Sequence, residues 1–202
     1  MVKPLQLAIK RIVDLILALI LALVTLPLFV VIVVAIRSDS EGPALFKQTR
    51  IGYLGRPFTM WKFRTMRLGA EREWHPPTPD EFAQYRFQDA NDARITKIGL
   101  WLRKTSLDEL PQLYNVIAGS MSLVGPRPEI PEMVALYTGP MHRRHQMKPG
   151  ITGLAQISGR GDLTTAESIA WDLNYVEHWN CWLDIKILWW TLGAVIHGQG
   201  AH

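Results

Sequence analysis

The sequence predicts an α+β protein, mainly helical, with an N-terminal membrane helix, a small β-hairpin and interfacial amphipathic helices around a core. Three observations carry that expectation. A charge-free apolar run, residues 15–36, follows Lys10, Arg11 and Asp14. A stretch of period-two alternation comes next, between Leu45 and Met66. Helix start and stop signals then recur from Thr96 onward. Composition agrees: 48% hydrophobic and 20% charged residues exclude a disordered or collagen-like chain. The 22 Lys+Arg and 18 Asp+Glu exclude one that is mostly transmembrane.

The apolar run is long enough, as a helix of about 33 Å, to cover a bilayer core. It is too long for the apolar part of a cleaved signal peptide, and Arg37-Ser38-Asp39-Ser40 is no small-residue cleavage site. Pro27 removes a backbone donor and crowds the carbonyl four residues back, so a break is expected at Thr25 and Pro27, where Thr25 can satisfy a freed carbonyl. Basic residues flank the run on both sides, Lys3, Lys10 and Arg11 before it and Arg37, Lys47 and Arg50 after it. Such residues mark the cytoplasmic face. A re-entrant helix satisfies both flanks, whereas a kinked N-terminal anchor leaves one outside. Physical reasoning leaves both open. Either way, residues 1–40 form the membrane unit and residues 41–202 a domain on the cytoplasmic face.

Phe58 to Arg64 returns after Gly52-Tyr53-Leu54-Gly55, which reads as a hairpin. Glu71 to Asp92, polar and bearing Pro76, Pro77 and Pro79, reads as a loop or insertion. A short helix is expected from Thr96. Ser106 and Glu109 form the pattern of a capping box for the next helix, which closes at Gly119 and the 125–128 loop. Ile130–Tyr137 and His142–Met147 read as short helices, and 148–153 as a chain break. Five of the eight tryptophans fall in the last third, at 171, 179, 182, 189 and 190. The segment from Leu183 to Ile196 is too short to span a bilayer; it is a core helix or one lying at the headgroup level.

A lone Cys181 excludes an internal disulfide and points to a reducing compartment. It reads as a packed thiol, and His142 and His145 as structural histidines without a third metal ligand. The net charge of +4 calls for an anionic partner. No P-loop, dinucleotide fingerprint or serine elbow is present. Asp108-Glu109 is the pair to weigh. It could merely cap a helix; equally, a helix N-terminus would keep Asp108 ionised and receive phosphate. A carboxylate can attack phosphorus to give an acyl phosphate. Cations stand around it in sequence: Arg127 between two prolines, Lys62 and Arg64 on one face of the hairpin, and Arg103 with Lys104. A Mg²⁺ ion is the usual bridge between such a carboxylate and a diphosphate.

Taken together, Lys10-Arg11-x-x-Asp14, Lys62-Phe63-Arg64-Thr65-Met66, the segment 103–112 (RKTSLDELPQ), Ser122-Leu123-Val124-Gly125-Pro126-Arg127-Pro128 and Pro149 to Gln156 occur in an order that resembles the bacterial sugar transferases, the monotopic phosphoglycosyl transferases. The resemblance covers nearly the whole chain. It implies transfer of a phosphosugar from a UDP-sugar to polyprenol (undecaprenyl) phosphate, with UMP released, by a ping-pong route. Asp108 would be the nucleophile and Glu109 its partner, with Mg²⁺ held at Asp108. Lys62, Arg64, Arg103, Arg127, Gln156 and Asp184 would bind substrate. The N-terminal helix would re-enter at Thr25 and Pro27, and the catalytic domain would lie on the cytoplasmic face of a bacterial inner membrane. Residues 71–92 match no motif of the family and are expected to bear on sugar choice. The expected partners are the two substrates and the bilayer, with a homodimer open and no nucleic acid. Two other readings compete: a phosphohydrolase in which water attacks the acyl phosphate, and a non-catalytic scaffold whose dyad only caps a helix.

Overall fold

In the computed structural model, which describes residues 4–86 and 92–197, the chain begins with one 36-residue helix, α1 (Pro4–Asp39). Helix is continuous through Thr25 and Pro27, the expected break point, so any bend there occurs without loss of helical structure. The Thr25 hydroxyl donates to Leu21 O at 2.7 Å, its own partner four residues back rather than the carbonyl Pro27 leaves free. α1 is long and apolar enough to cross a membrane.

Both ends of α1 nevertheless dock on the rest of the protein. At the N-terminal end, Lys10 Nζ lies 2.6 Å from Asp184 Oδ2, and Asp14 accepts from Ser122 Oγ at 2.7 Å and Leu123 N at 3.2 Å. Arg11 donates to the carbonyls of Val116 and Ile117 at a helix end where carbonyls lack partners. At the other end, Asp39 accepts from Ile98 N, and Ile32 and Ile36 pack against Phe63 and Leu102. Between these ends the outer face is bare, with Leu23 74% exposed.

The hairpin forms as its alternation predicts. β1 (Leu45–Ile51) pairs antiparallel with β2 (Pro57–Phe63) in a register that sets Phe46 opposite Lys62. Residues 64–86 follow as loops and short 3-10 turns; the remainder of the expected 71–92 loop lies partly outside the described residues. α2 (Lys97–Thr105) starts where expected, with Thr96 Oγ1 accepting from Gly99 N.

The capping box at Ser106 does not form. Ser106 adopts φ 58°, closes α2 from the left-handed region and makes no side-chain cap. Leu107–Glu109 is a 3-10 turn, and α3 (Gln112–Ala118) starts only after Pro111. A reciprocal box does form at Thr164 and Glu167, opening α6 (Thr165–His178), from the same Thr-x-x-Glu spacing in the sequence. Gly119, with φ 88°, ends α3 as its position predicts.

The supposed break at 148–153 holds a strand instead. β3 (Ser122–Val124) runs parallel to β4 (Gly150–Thr152), pairing Ser122 with Gly150 and Val124 with Thr152. Three residues are too few to show a period. Gly150 lets the strands close: a Cβ there would stand 2.1 Å from Gly125 N. α4 (Pro131–Val134), a 3-10 segment over Gly139–Gln146 and α5 (Leu154–Ser158) complete the body with α6 and α7 (Cys181–His197).

The main core gathers Met60, Val116, Met121, Val124, Tyr175 and Ile187. α7 buries Asp184 and Ile187 but presents Trp182, Ile185, Trp189 and Leu192 outward, Trp189 at 73% exposure. A second layer forms around Tyr137. His145 stacks on its ring at 5.9 Å, and His142 meets it edge-on. Burial, then Arg144 and His142, push the His145 imidazole down to about 4 from 6.5. The unfolded chain therefore binds this proton more readily, so the stabilisation is complete above pH 6.5 and is lost as pH falls toward 4. The melting midpoint should drop over that interval, and His145→Gln should flatten the drop. A variant with the unchanged wild-type slope contradicts this.

Candidate active site

The 3-10 turn Leu107–Glu109 carries the dyad, trapped between the left-handed Ser106 and Pro111. Asp108 is 9% exposed. Lys62, projecting from β2, reaches both carboxylates: its Nζ lies 3.7 Å from Asp108 Oδ2 and 3.0 Å from Glu109 Oε1. Arg127 Nη1 approaches Glu109 Oε1 at 3.5 Å. Arg103 stands beside this group, its Nε donating to Thr65 Oγ1 at 3.1 Å, and its charge acts on Asp108. Asp108, Glu109, Lys62, Arg103 and Arg127 are thus brought together as the sequence predicts.

The electrostatics differ from expectation in one respect. Burial pushes the Asp108 carboxyl up, Lys62 opposes this, and Glu109 adds to it. Asp108 lies in a 3-10 turn and not in the first turn of an α-helix, and the opposing positive charge comes from Lys62, Arg103 and Arg127.

These groups line a cavity of about 720 Å³. The lining includes residues of the two flanking helices, apolar apart from the Thr25 hydroxyl: Leu21 and Thr25 of α1, Leu188 and Leu192 of α7. It also includes Trp74 and Tyr85, whose indole Nε1 and hydroxyl lie 2.7 Å apart. These two aromatics sit in the segment read only as a loop. Their apolar size within a proline-rich polar stretch was the available signal. Gln156 lines the cavity too, with Nε2 and Oε1 both buried and without a hydrogen-bond partner. A buried amide left in that state costs free energy that a ligand can return.

Two sequence-predicted substrate contacts go elsewhere. Asp184 is buried among Lys10 Nζ, Tyr175 Oη and Trp179 Nε1, where it fastens α1 to α6 and α7. The fastening to α1 was hidden because Lys10 lies 174 residues away in sequence. Arg64 touches the cavity wall, but its guanidinium is committed to Ser40 O, Ser40 Oγ and Pro43 O. It ties the end of α1 to the hairpin and does not share Lys62's position.

No cluster of three or more His, Cys, Asp or Glu side chains occurs among the described residues. Mg²⁺ asks less of a protein where phosphates complete its shell, one or two carboxylates being enough. Asp108 and Glu109, converging on one cation, provide that donor set and fit the ion.

A long apolar helix docked on a small, mainly helical body, with the buried Asp108 and the partly buried Glu109 set among Lys62, Arg103 and Arg127, defines the class: an apolar-helix protein with a cation-lined carboxylate site. The chain belongs to the bacterial sugar transferase family, whose model matches residues 5–198. It is 44% identical over 194 residues to the galactosyl transferase CpsE of Streptococcus agalactiae serotype III (strain NEM316), covering 95% of this chain and 43% of that protein. It is 42% identical over 192 residues to the UDP-glucose:undecaprenyl-phosphate glucose-1-phosphate transferase of Escherichia coli (strain K12), covering 91% and 39%. The exopolysaccharide production protein ExoY of Rhizobium meliloti (strain 1021) is 37% identical over 206 residues, covering 100% and 91%. The chain therefore spans about two fifths of the first two relatives and nearly all of the third.

Proposed function

We propose that this chain transfers a hexose phosphate from a UDP-sugar to undecaprenyl phosphate in exopolysaccharide or glycoconjugate assembly. The observation that carries the reading is Lys62 spanning Asp108 and Glu109 in a cavity that α1 and α7 help to line. The names of the relatives support UDP-glucose or UDP-galactose as donor.

In the first half-reaction an Asp108 oxygen attacks the phosphorus that bears the sugar. The bond from that phosphorus to the bridging oxygen breaks, and UMP leaves with the bond's electrons. In the second, an oxygen of the lipid phosphate attacks the same phosphorus and expels the Asp108 carboxylate. Lys62, Arg103 and Arg127 balance the charge of the entering diphosphate and oppose the upward push of burial on the Asp108 carboxyl. Glu109, fixed by Lys62 and Arg127, orients those cations and can take the proton of the lipid phosphate. Mg²⁺, held by Asp108 with the diphosphate, would neutralise the developing charge. Gln156 offers its free amide to the bound substrate.

The attachment of both ends of α1 to one body supports a re-entrant anchor. Lys10 and Asp39 are about 44 Å apart along a straight helix, more than the bilayer core. A body on one side of a membrane cannot hold both ends of a helix that crosses it. The outward tryptophans of α7 suit the headgroup level of the same leaflet. The domain would accordingly lie on the cytoplasmic face.

Enzyme incubated with UDP-glucose or UDP-galactose, with no lipid acceptor, should gain one hexose phosphate by intact mass and release one equivalent of UMP. Absence of the adduct with both donors, together with UMP release only when undecaprenyl phosphate is added, rejects the two-step route.

A further inference from the structure

Arg127 lies in Pro126-Arg127-Pro128, a segment with one backbone N–H across three residues. All three of its carbonyls are held, each by a donor from a different element. Pro126 O accepts from Gly150 N of β4 at 2.9 Å. Arg127 O accepts from Arg144 Nη2 at 2.7 Å, out of the 3-10 segment 139–146. Pro128 O accepts from Arg50 Nη1 of β1 at 3.1 Å.

The two arginines belong to one strip of charge. Glu129 lies between them, 3.8 Å from Arg50 and 3.9 Å from Arg144. Arg144, 2% exposed, also pairs with Asp172 of α6 and with the Tyr137 hydroxyl. Asp172 is fully buried, with Oδ2 on Arg144 and Oδ1 without a hydrogen-bond partner, and the Arg127 backbone helps to hold its carboxyl pKa down against burial. Apolar side chains of the same volume commonly stabilise a core as well as buried ion pairs do. What such a strip adds is direction, because guanidinium forks accept few geometries. Above it, the Arg127 side chain is 38% exposed and turns toward Glu109.

We propose that the strip Arg50–Glu129–Arg144–Asp172 is a positioning device that fixes where Arg127 presents its guanidinium to the substrate phosphate. It acts through the loop backbone: Arg144 and Asp172 are not among the residues that line the cavity, whereas Arg50 and Glu129 reach its lining. The inference rests on the reading of Arg127 as a phosphate clamp.

The test is a double-mutant cycle on the full chain in detergent, with undecaprenyl phosphate and whichever of UDP-glucose and UDP-galactose turns over faster. Arg127→Ala should lower kcat/KM about 100-fold, as loss of a preorganised charge donor does. Asp172→Asn should lower it about 10-fold, the scale of supporting-shell changes. The double variant should be no slower than Arg127→Ala, since nothing remains to be positioned. Multiplying losses, or an Asp172→Asn protein with wild-type kcat/KM, overturn the inference and leave the clamp intact. An Arg127→Ala protein with wild-type kcat/KM overturns the clamp reading and this inference with it. Should Asp172→Asn lose its cooperative melt, Arg50→Lys takes its place in the same cycle. That change keeps a cation beside Glu129 but removes the fork that reaches Pro128 O.

Discussion

Asp108→Asn should abolish transfer, by about 10⁴-fold or more as for other lost nucleophiles, while leaving the protein folded. The amide keeps the shape of the carboxylate but cannot form the acyl phosphate. Stability should hold or rise. Asp108 is desolvated and repelled by Glu109, so its charge is a cost that the fold bears for the site. Lys62 keeps its closer partner, Glu109, at 3.0 Å. Turnover with UDP-sugar and lipid phosphate, read beside a thermal melt, checks both halves. An Asp108→Asn protein with wild-type turnover would end the covalent route and favour the reading of this turn as mere structure.

The largest loss of stability is expected from Arg144→Ala. The side chain is fully enclosed and engages Asp172, Tyr137, Glu129 and the Arg127 carbonyl together. Truncation strands the Asp172 carboxylate in a place where burial already pushes its pKa up to about 6. Breaking a buried pair from one side costs about 3–5 kcal/mol. For a chain of this length that lowers the melting midpoint by roughly 10 °C. A midpoint within a degree or two of wild type would show that the strip is not structurally coupled.

Much of the scaffold could be read from residue order because the responsible forces are local. The hairpin at 45–63 follows from alternation, the start of α2 from the Thr96 hydroxyl, and the end of α3 from Gly119. The dyad and its cations were legible as residue types, and Lys62, Arg103 and Arg127 do converge on it. What escaped depends on partners remote in sequence. β4 is held by β3 across 28 residues, and Asp184 by Lys10 across 174. Arg50, Glu129, Arg144 and Asp172 look like surface charges until folding buries them side by side. Ser106 shows the reverse failure. Its local capping pattern was sound, but α2 needed the residue more, as a left-handed stop.

Leu21 and Thr25 belong to the N-terminal helix, yet they wall the same chamber as Asp108. The anchor is therefore not an interchangeable tether. Grafting the remaining domain onto an unrelated single-span segment would keep it at the lipid surface but leave the chamber open along one side. On the function proposed above, recruitment and reactivity, separable in proteins moored by a flexible leash, become two uses of one piece of chain.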